Sequence, residues 1–226
     1  MVQGVVIALG FVLLIAGFVL VAVDYRPYRI PTNSMSPTIE VGDTVLARKA
    51  DGGSIGRGDV VVFKDETWGT GEMVKRVVAV GGDTVACCDE QGRLTVNGTP
   101  VDEPYIDRKV GQSAAFNTTV PTGRLFLLGD FRLNSLDSRS HLELAGGTVP
   151  ESGVVARVEA TVLPIGRAGV HDRVTAFDAV GGRTAHGPGL LEPAVQASVS
   201  GAALIVLASA AGWLVSLVRL VRRRFA

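Results

Sequence analysis

Cysteine is nearly absent from this chain. The two that occur, Cys87 and Cys88, are adjacent. That excludes a disulfide framework and a zinc site of four thiolates; a bond between the two neighbours and a pair of separate thiols are both open. The three histidines, His141, His171 and His186, lack metal-ligand spacing. No cofactor is therefore expected. No basic stripe with interleaved aromatics occurs, so nucleic acid is not an expected partner. Sustained helical periodicity is missing from the middle of the chain, which argues against a helical bundle there.

Charge is missing from two long stretches. The chain has 226 residues, with 22 basic and 22 acidic side chains. None lies in Val2 to Val23, and none in Ala194 to Val218. Gly4 to Val23 is apolar throughout, and about 20 helical residues rise roughly 30 Å, enough to cross a bilayer. No Lys or Arg precedes it and it is long for a signal peptide, so residues 1–23 read as an uncleaved anchor. Residues 194–218 read as a second span, whose small residues Gly201, Ala202, Ser209 and Gly212 suit close helix packing in lipid. Arg219, Arg222, Arg223 and Arg224 crowd the tail, 219–226, and should stay cytoplasmic. Two spans then place both termini in the cytoplasm and the middle domain outside, in a multi-pass protein of the cell membrane.

Between the spans, residues 24–166 read as a mostly β domain. Short β-branched or apolar runs (Thr44 to Ala47, Val60 to Phe63, Val74 to Val80, Arg93 to Val96, Arg124 to Leu128) alternate with Gly-Asp and Asn97-Gly98 turn signals. The expected fold is a membrane-anchored, extracytoplasmic β domain flanked by two transmembrane helices. Residues 167–193, rich in glycine, read as a poorly packed linker.

One stretch stands out, Tyr28-Arg29-Ile30-Pro31-Thr32-Asn33-Ser34-Met35-Ser36-Pro37-Thr38. It sets the Ser34 hydroxyl on a loop between two prolines. Alone, Ser34 reads equally as a turn residue. A serine becomes a nucleophile only beside a base. His141 is one candidate. Lys75 is another, if burial lowers its pKa by roughly 3 units from about 10.4, a cost of about 4 kcal/mol. Met73, Val74, Val77, Val78 and Val80 surround it in sequence, as a buried strand would; the competing reading is an exposed strand-edge lysine.

Four ordered blocks carry a resemblance: Pro31 to Thr38, Arg57 to Phe63, Lys75 to Asp83, and Gly129 to Arg139. Together with the apolar leader they resemble the type I signal peptidases, membrane-bound serine endopeptidases with a Ser/Lys dyad. The resemblance covers most of residues 23–163. It implies Ser34 as nucleophile and Lys75 as general base, with Ser135 orienting the lysine. The Ser34 backbone N–H and the Thr32 hydroxyl would form the oxyanion hole. Asp137 and Arg139 would be an ion pair beneath the site, supported by Asp130 and Arg132, with Arg76 beside the dyad. Tyr28, Ile30, Pro31, Met35, Ile39, Met73 and Val74 would line shallow pockets. The implied substrates are signal-peptide-bearing preproteins with small residues at −1 and −3. The resemblance further implies an active site near the lipid bilayer; the chain is expected to act as a monomer, without a cofactor. The family's second β domain would shrink to a minimal β-hairpin subdomain within residues 84–122.

Two positions depart from the family pattern. Phe131 stands where asparagine is usual. Asn33 replaces a common glycine, which a positive φ would explain. Three other readings compete: a LexA-type Ser/Lys autoprotease, which needs a DNA-binding region and no spans; a non-enzymatic membrane-tethered β domain; and a Ser/His hydrolase using His141.

Overall fold

The computed structural model describes residues 2–107 and 114–224. Met1, residues 108–113 of the expected insert and residues 225–226 of the basic tail lie outside it. The described chain forms two units, a pair of long helices and a β unit of Tyr25–Gly189.

The helical unit joins α1 (Val2–Asp24) and α2 (Leu191–Arg224), both long and apolar enough to cross a membrane. Glycines set their contact. Gly10 lies against the backbone of Gly201, and Gly17 against Ala194 and Ser198, where any side chain would collide. Gln3 Nε2 donates to the Ala208 carbonyl at 3.1 Å. The second helix starts three residues ahead of the expected 194, with Pro193 in its first turn, where a missing N–H breaks no helical hydrogen bond.

The β unit holds strands β1 (Tyr25–Arg29), β2 (Thr44–Lys49), β3 (Val60–Phe63), β4 (Met73–Val80), β5 (Thr84–Cys87), β6 (Thr95–Val96), β7 (Thr99–Pro100), β8 (Phe116–Thr119), β9 (Arg124–Leu128), β10 (Val149–Pro150), β11 (Val154–Leu163) and β12 (Gly169–Val170). Among the described residues the larger sheet has eight strands, in the order β1-β2-β11-β3-β4-β9-β10, with β12 on β11. All its pairings are antiparallel. β3 is Val-Val-Val-Phe and wholly buried, and β4, valine-rich around Lys75 and Arg76, is buried from Lys75 onward, as central strands should be. Strand β4 places Lys75 and Arg76 side by side in sequence and therefore on opposite faces.

The insert is more than the expected minimal hairpin. Among the described residues four short strands form a second sheet, β7-β6-β5-β8. Asn97 and Gly98 turn β6 into β7 with φ of 54° and 76°, the paired positive φ of a type I′ turn. Cys87 and Cys88 are bonded to each other.

The segment expected as a poorly packed linker is docked. Phe177 is fully buried in the core shared by β4, β9 and the small sheet, with Val174 and Val180 packed beside it. Arg57 donates to the Gly181 carbonyl at 2.5 Å while pairing with Asp83, and Arg183 pairs with Glu151 at 2.6 Å. Glycine content misleads here: Gly181 and Gly182, with φ of 74° and 70°, turn the backbone so that its carbonyls reach the arginine. They serve docking, not flexibility.

Candidate active site

The loop between β1 and β2 presents Ser34. Reciprocal bonds between Ile30 and the Gly42-Asp43 turn close its base, Ile30 N–H to Asp43 O at 2.9 Å and Gly42 N–H to Ile30 O at 2.8 Å. Met35 and Ile39 anchor it in the core, 1 % and 0 % exposed. Ser36 N–H donates to the Asn33 carbonyl at 3.0 Å. Because a trans peptide is planar, the Ser34 N–H points the opposite way from that carbonyl. Asn33 has no positive φ; among the described non-glycine residues only Asn97 and Ala145 do. Its amide oxygen instead accepts from Asn134 Nδ2 at 2.9 Å.

From β4, Lys75 reaches the same point. Its Nζ lies 2.8 Å from Ser34 Oγ and 3.1 Å from the Val74 carbonyl. Both residues are buried. Desolvation lowers the Lys75 pKa below its ordinary value, while Asp137 and Asp130 oppose the shift through their charges. The Thr32 hydroxyl lies 3.4 Å from Ser34 Oγ. Serine, amine and second hydroxyl thus converge on one point. His141 does not join them: its Nδ1 lies 2.9 Å from the Asp137 carbonyl and its ring stacks on Trp68 at 4.3 Å.

The fourth block supports the site from below. Phe131 N–H donates to the Ser34 carbonyl at 3.1 Å, so the departure at Phe131 still supplies a backbone donor. A β carbon at Gly129 would collide with both the Ser34 carbonyl and the Ser135 side chain; only glycine fits between them. Asp137, wholly buried, pairs with Arg139 at 2.7 Å and accepts the Gly129 N–H at 3.0 Å. Ser135 departs from expectation. Its Oγ is buried with no hydrogen-bond partner among the described residues, so its expected bond to Lys75 is not formed. Both Lys75 contacts point elsewhere, to Ser34 and Val74.

Behind Lys75, Arg76 is held by a fork to Asp130, with contacts of 2.8 and 2.6 Å. Its Nη1 donates to the Gly58 carbonyl at 2.8 Å, and Tyr105 covers the guanidinium at 4.0 Å. Thr38 donates to the same Asp130 carboxylate at 2.6 Å. Arg132 pairs with Glu103 at 2.6 Å, rather than with Asp130. Glu103 and Tyr105 were missed by sequence reasoning. One signal was available: three arginines, Arg76, Arg132 and Arg139, had only two assigned aspartates, Asp130 and Asp137, so one buried carboxylate was still owed.

A groove of about 630 Å³ runs beside the dyad, lined by Tyr28, Ile30, Pro31, Thr32, Met35, Met73 and Val74 together with Ser34 and Lys75. Ile39 does not line it; it follows the Pro37-Thr38 turn and faces inward, into the core with Val45 and Val60. The sheet curls so that the free edge of β1 faces the Met73–Lys75 half of β4. That half pairs only with β3, because β9 joins β4 from Arg76 onward.

The family model described as signal peptidase, peptidase S26, matches residues 2–163. Signal peptidase I of Mycobacterium tuberculosis is 33 % identical over 215 residues, covering 72 % of this chain and 73 % of that protein. Signal peptidase I U of Bacillus subtilis is 33 % identical over 159 residues, covering 66 % and 81 %. A signal peptidase I structure from Enterococcus faecalis aligns at 26 % identity over 45 % of this chain and 93 % of that one. Its TM-score is 0.37, too low to bear on the fold.

Proposed function

Since the chain belongs to the peptidase S26 signal peptidase family, and is a serine endopeptidase that removes signal peptides, we propose that Ser34 is its nucleophile and Lys75 its general base. The observation that carries this is the 2.8 Å contact between the two inside a buried site that lowers the lysine pKa. A neutral Lys75 takes the Ser34 proton as Oγ attacks the carbonyl carbon of residue −1. The oxyanion meets the Ser34 N–H and the Thr32 hydroxyl. The Lys75 ammonium then protonates the leaving amine, and the same amine later deprotonates the water that frees the acyl group. Asp130, Arg132, Asp137 and Arg139 hold the floor.

The substrate lies extended between the free edge of β1 and the half-paired edge of β4, hydrogen-bonding as an added strand. Tyr28, Ile30, Met73 and Val74 leave shallow apolar room, which favours small residues at −1 and −3. Both long helices cross the bilayer, with the catalytic unit extracytoplasmic and both termini cytoplasmic; the C-terminal arginines support that orientation. The organisation is an anchor (1–23), a catalytic domain (24–166) with its small subdomain (84–122), a docked connector (167–193), a second span (194–218) and a basic tail. The chain acts as a monomer.

Detergent-solubilised protein incubated with a preprotein should release a product whose new N-terminus follows a small residue. Ser34→Ala should release none. An unchanged preprotein with wild-type enzyme, or cleavage by Ser34→Ala, would refute the assignment.

A further inference from the structure

Two loops meet at the dyad, and each offers an asparagine directly before a site serine: Asn33 before Ser34, Asn134 before Ser135. The two side chains bond across the seam at 2.9 Å, joining positions 101 residues apart. Resting on the reading of Ser34 as nucleophile, we propose that Asn33 and Asn134 form a positioning pair that fixes the peptide carrying the oxyanion donor.

The Ser34 N–H belongs to the peptide plane between Asn33 and Ser34. Turning that plane by a few tens of degrees moves the donor off the oxyanion, and donor direction matters steeply. Two neighbouring bonds already restrain the backbone: Ser36 N–H to the Asn33 carbonyl at 3.0 Å, and Phe131 N–H to the Ser34 carbonyl at 3.1 Å. The first holds the plane through its own carbonyl, and the second holds it from the C-terminal side. The Asn33 side chain springs from the Cα on its N-terminal side. Bonding it to Asn134 adds a third restraint there and ties the nucleophile loop to the loop that carries Ser135 and Asp137. Glycine at this position would have no side chain to offer, so the restraint comes with the asparagine. The bond is exposed, so its loss should leave the fold intact and act on the transition state.

The test is a double-mutant cycle on the full chain in detergent, with a signal-peptide substrate. Asn33→Ala and Asn134→Ala should each lower kcat roughly 3- to 10-fold with little change in KM, the range of one neutral hydrogen bond. The double variant should be no worse than the poorer single variant, because the second substitution removes a bond already broken. Asn33→Asp should recover much of the Asn33→Ala loss, since a carboxylate still accepts from Asn134 Nδ2, while Asn33→Leu should recover none. Melting curves should coincide with the parent. If the two alanine losses multiply, if neither lowers kcat, or if Asn33→Asp is as poor as Asn33→Leu, the pair has no positioning role. Ser34→Ala runs alongside: if it is dead while the cycle is additive, only the pair fails. If it still cleaves, the nucleophile assignment fails and takes the pair with it.

Discussion

Lys75 and Arg76 are adjacent on one strand, both buried, and treated in opposite ways. Lys75 is 6 % exposed and Arg76 2 %. Around Arg76 the chain gathers the Asp130 fork, the Gly58 carbonyl and the face of Tyr105. Burial alone would lower its pKa, yet Asp130 more than offsets that and the net shift is upward. Around Lys75 no carboxylate among the described residues makes contact; its amine meets a hydroxyl and a carbonyl, and desolvation prevails. One face of β4 therefore stabilises a cation and the other destabilises one. Burial does not decide the state of a basic group; the supply of acidic partners does. A general base needs the second kind of pocket, and the first kind holds the strand that carries it.

The sharpest break of this contrast is Lys75→Met. Cleavage should fall by more than about a thousandfold, as loss of a member of a catalytic unit does. The same change should raise the melting temperature, because an amine buried against its preference becomes an apolar chain of similar length. Lys75→Arg should be nearly as inactive, since guanidinium keeps its proton at usable pH. The pH dependence has a definite sign. The folded pKa lies below the unfolded value, so between the two the unfolded chain binds the extra proton. In the parent, Lys75's contribution should therefore make stability fall as pH drops through that window, and Lys75→Met should flatten that slope. The pH–rate profile should rise with an inflection below the ordinary lysine value of about 10.4. An inflection at the ordinary value, or a melting temperature lowered in Lys75→Met, would show that the pocket does not disfavour the charge.

Breaking the other side should do the reverse. Asp130→Asn leaves Arg76 charged and buried without its counter-ion. Stability should fall by about 3–5 kcal/mol, or roughly 6–20 °C for a domain of this size. Activity per folded molecule should drop far less than in Lys75→Met. Urea unfolding of the variant, read beside active-site titration of the folded fraction, separates the two. A loss under about 1 kcal/mol would mean that Tyr105 and Gly58 hold the guanidinium without Asp130.

The contrast was only half legible in the chain. Lys75 and Ser34 were picked out through the resemblance that four ordered blocks carry; taken alone, Ser34 reads as a turn residue and Lys75 as an exposed strand-edge lysine. β3, β4 and β9 were readable as β-branched or apolar runs, since strands buried on both faces show no alternation. β11 was not, because Arg157 and Glu159 interrupt its pattern. Those charges are buried as a pair at 2.5 Å, with Tyr25 donating to Glu159 at 2.6 Å, and a partner 134 positions away in sequence leaves no local trace. β1 was hidden likewise by its arginines and Pro27. The Arg132–Glu103 pair and the docked Phe177 are long-range choices of the same sort. Sequence reading finds what neighbours in the chain encode; it misses charges whose counter-ions arrive by folding.

The smallest effect is expected at Ser135. In this structure its hydroxyl is buried and idle, a cost rather than a gain to the resting fold. Lys75, when neutral, has two N–H groups and one lone pair. If the lone pair takes the Ser34 proton, one N–H goes to the Val74 carbonyl and the other wants an acceptor. The Ser135 Oγ crowds the same glycine as the Ser34 carbonyl, which puts an unused acceptor close to the loop that carries the nucleophile. Ser135→Ala should then lower kcat roughly 5-fold, about 1 kcal/mol, with KM unmoved. The melting temperature should stay level or rise, since an unsatisfied buried hydroxyl is gone. A lower melting temperature at full kcat would make Ser135 a packing residue, and the pocket of Lys75 would then hold its amine with Ser34 and Val74 alone.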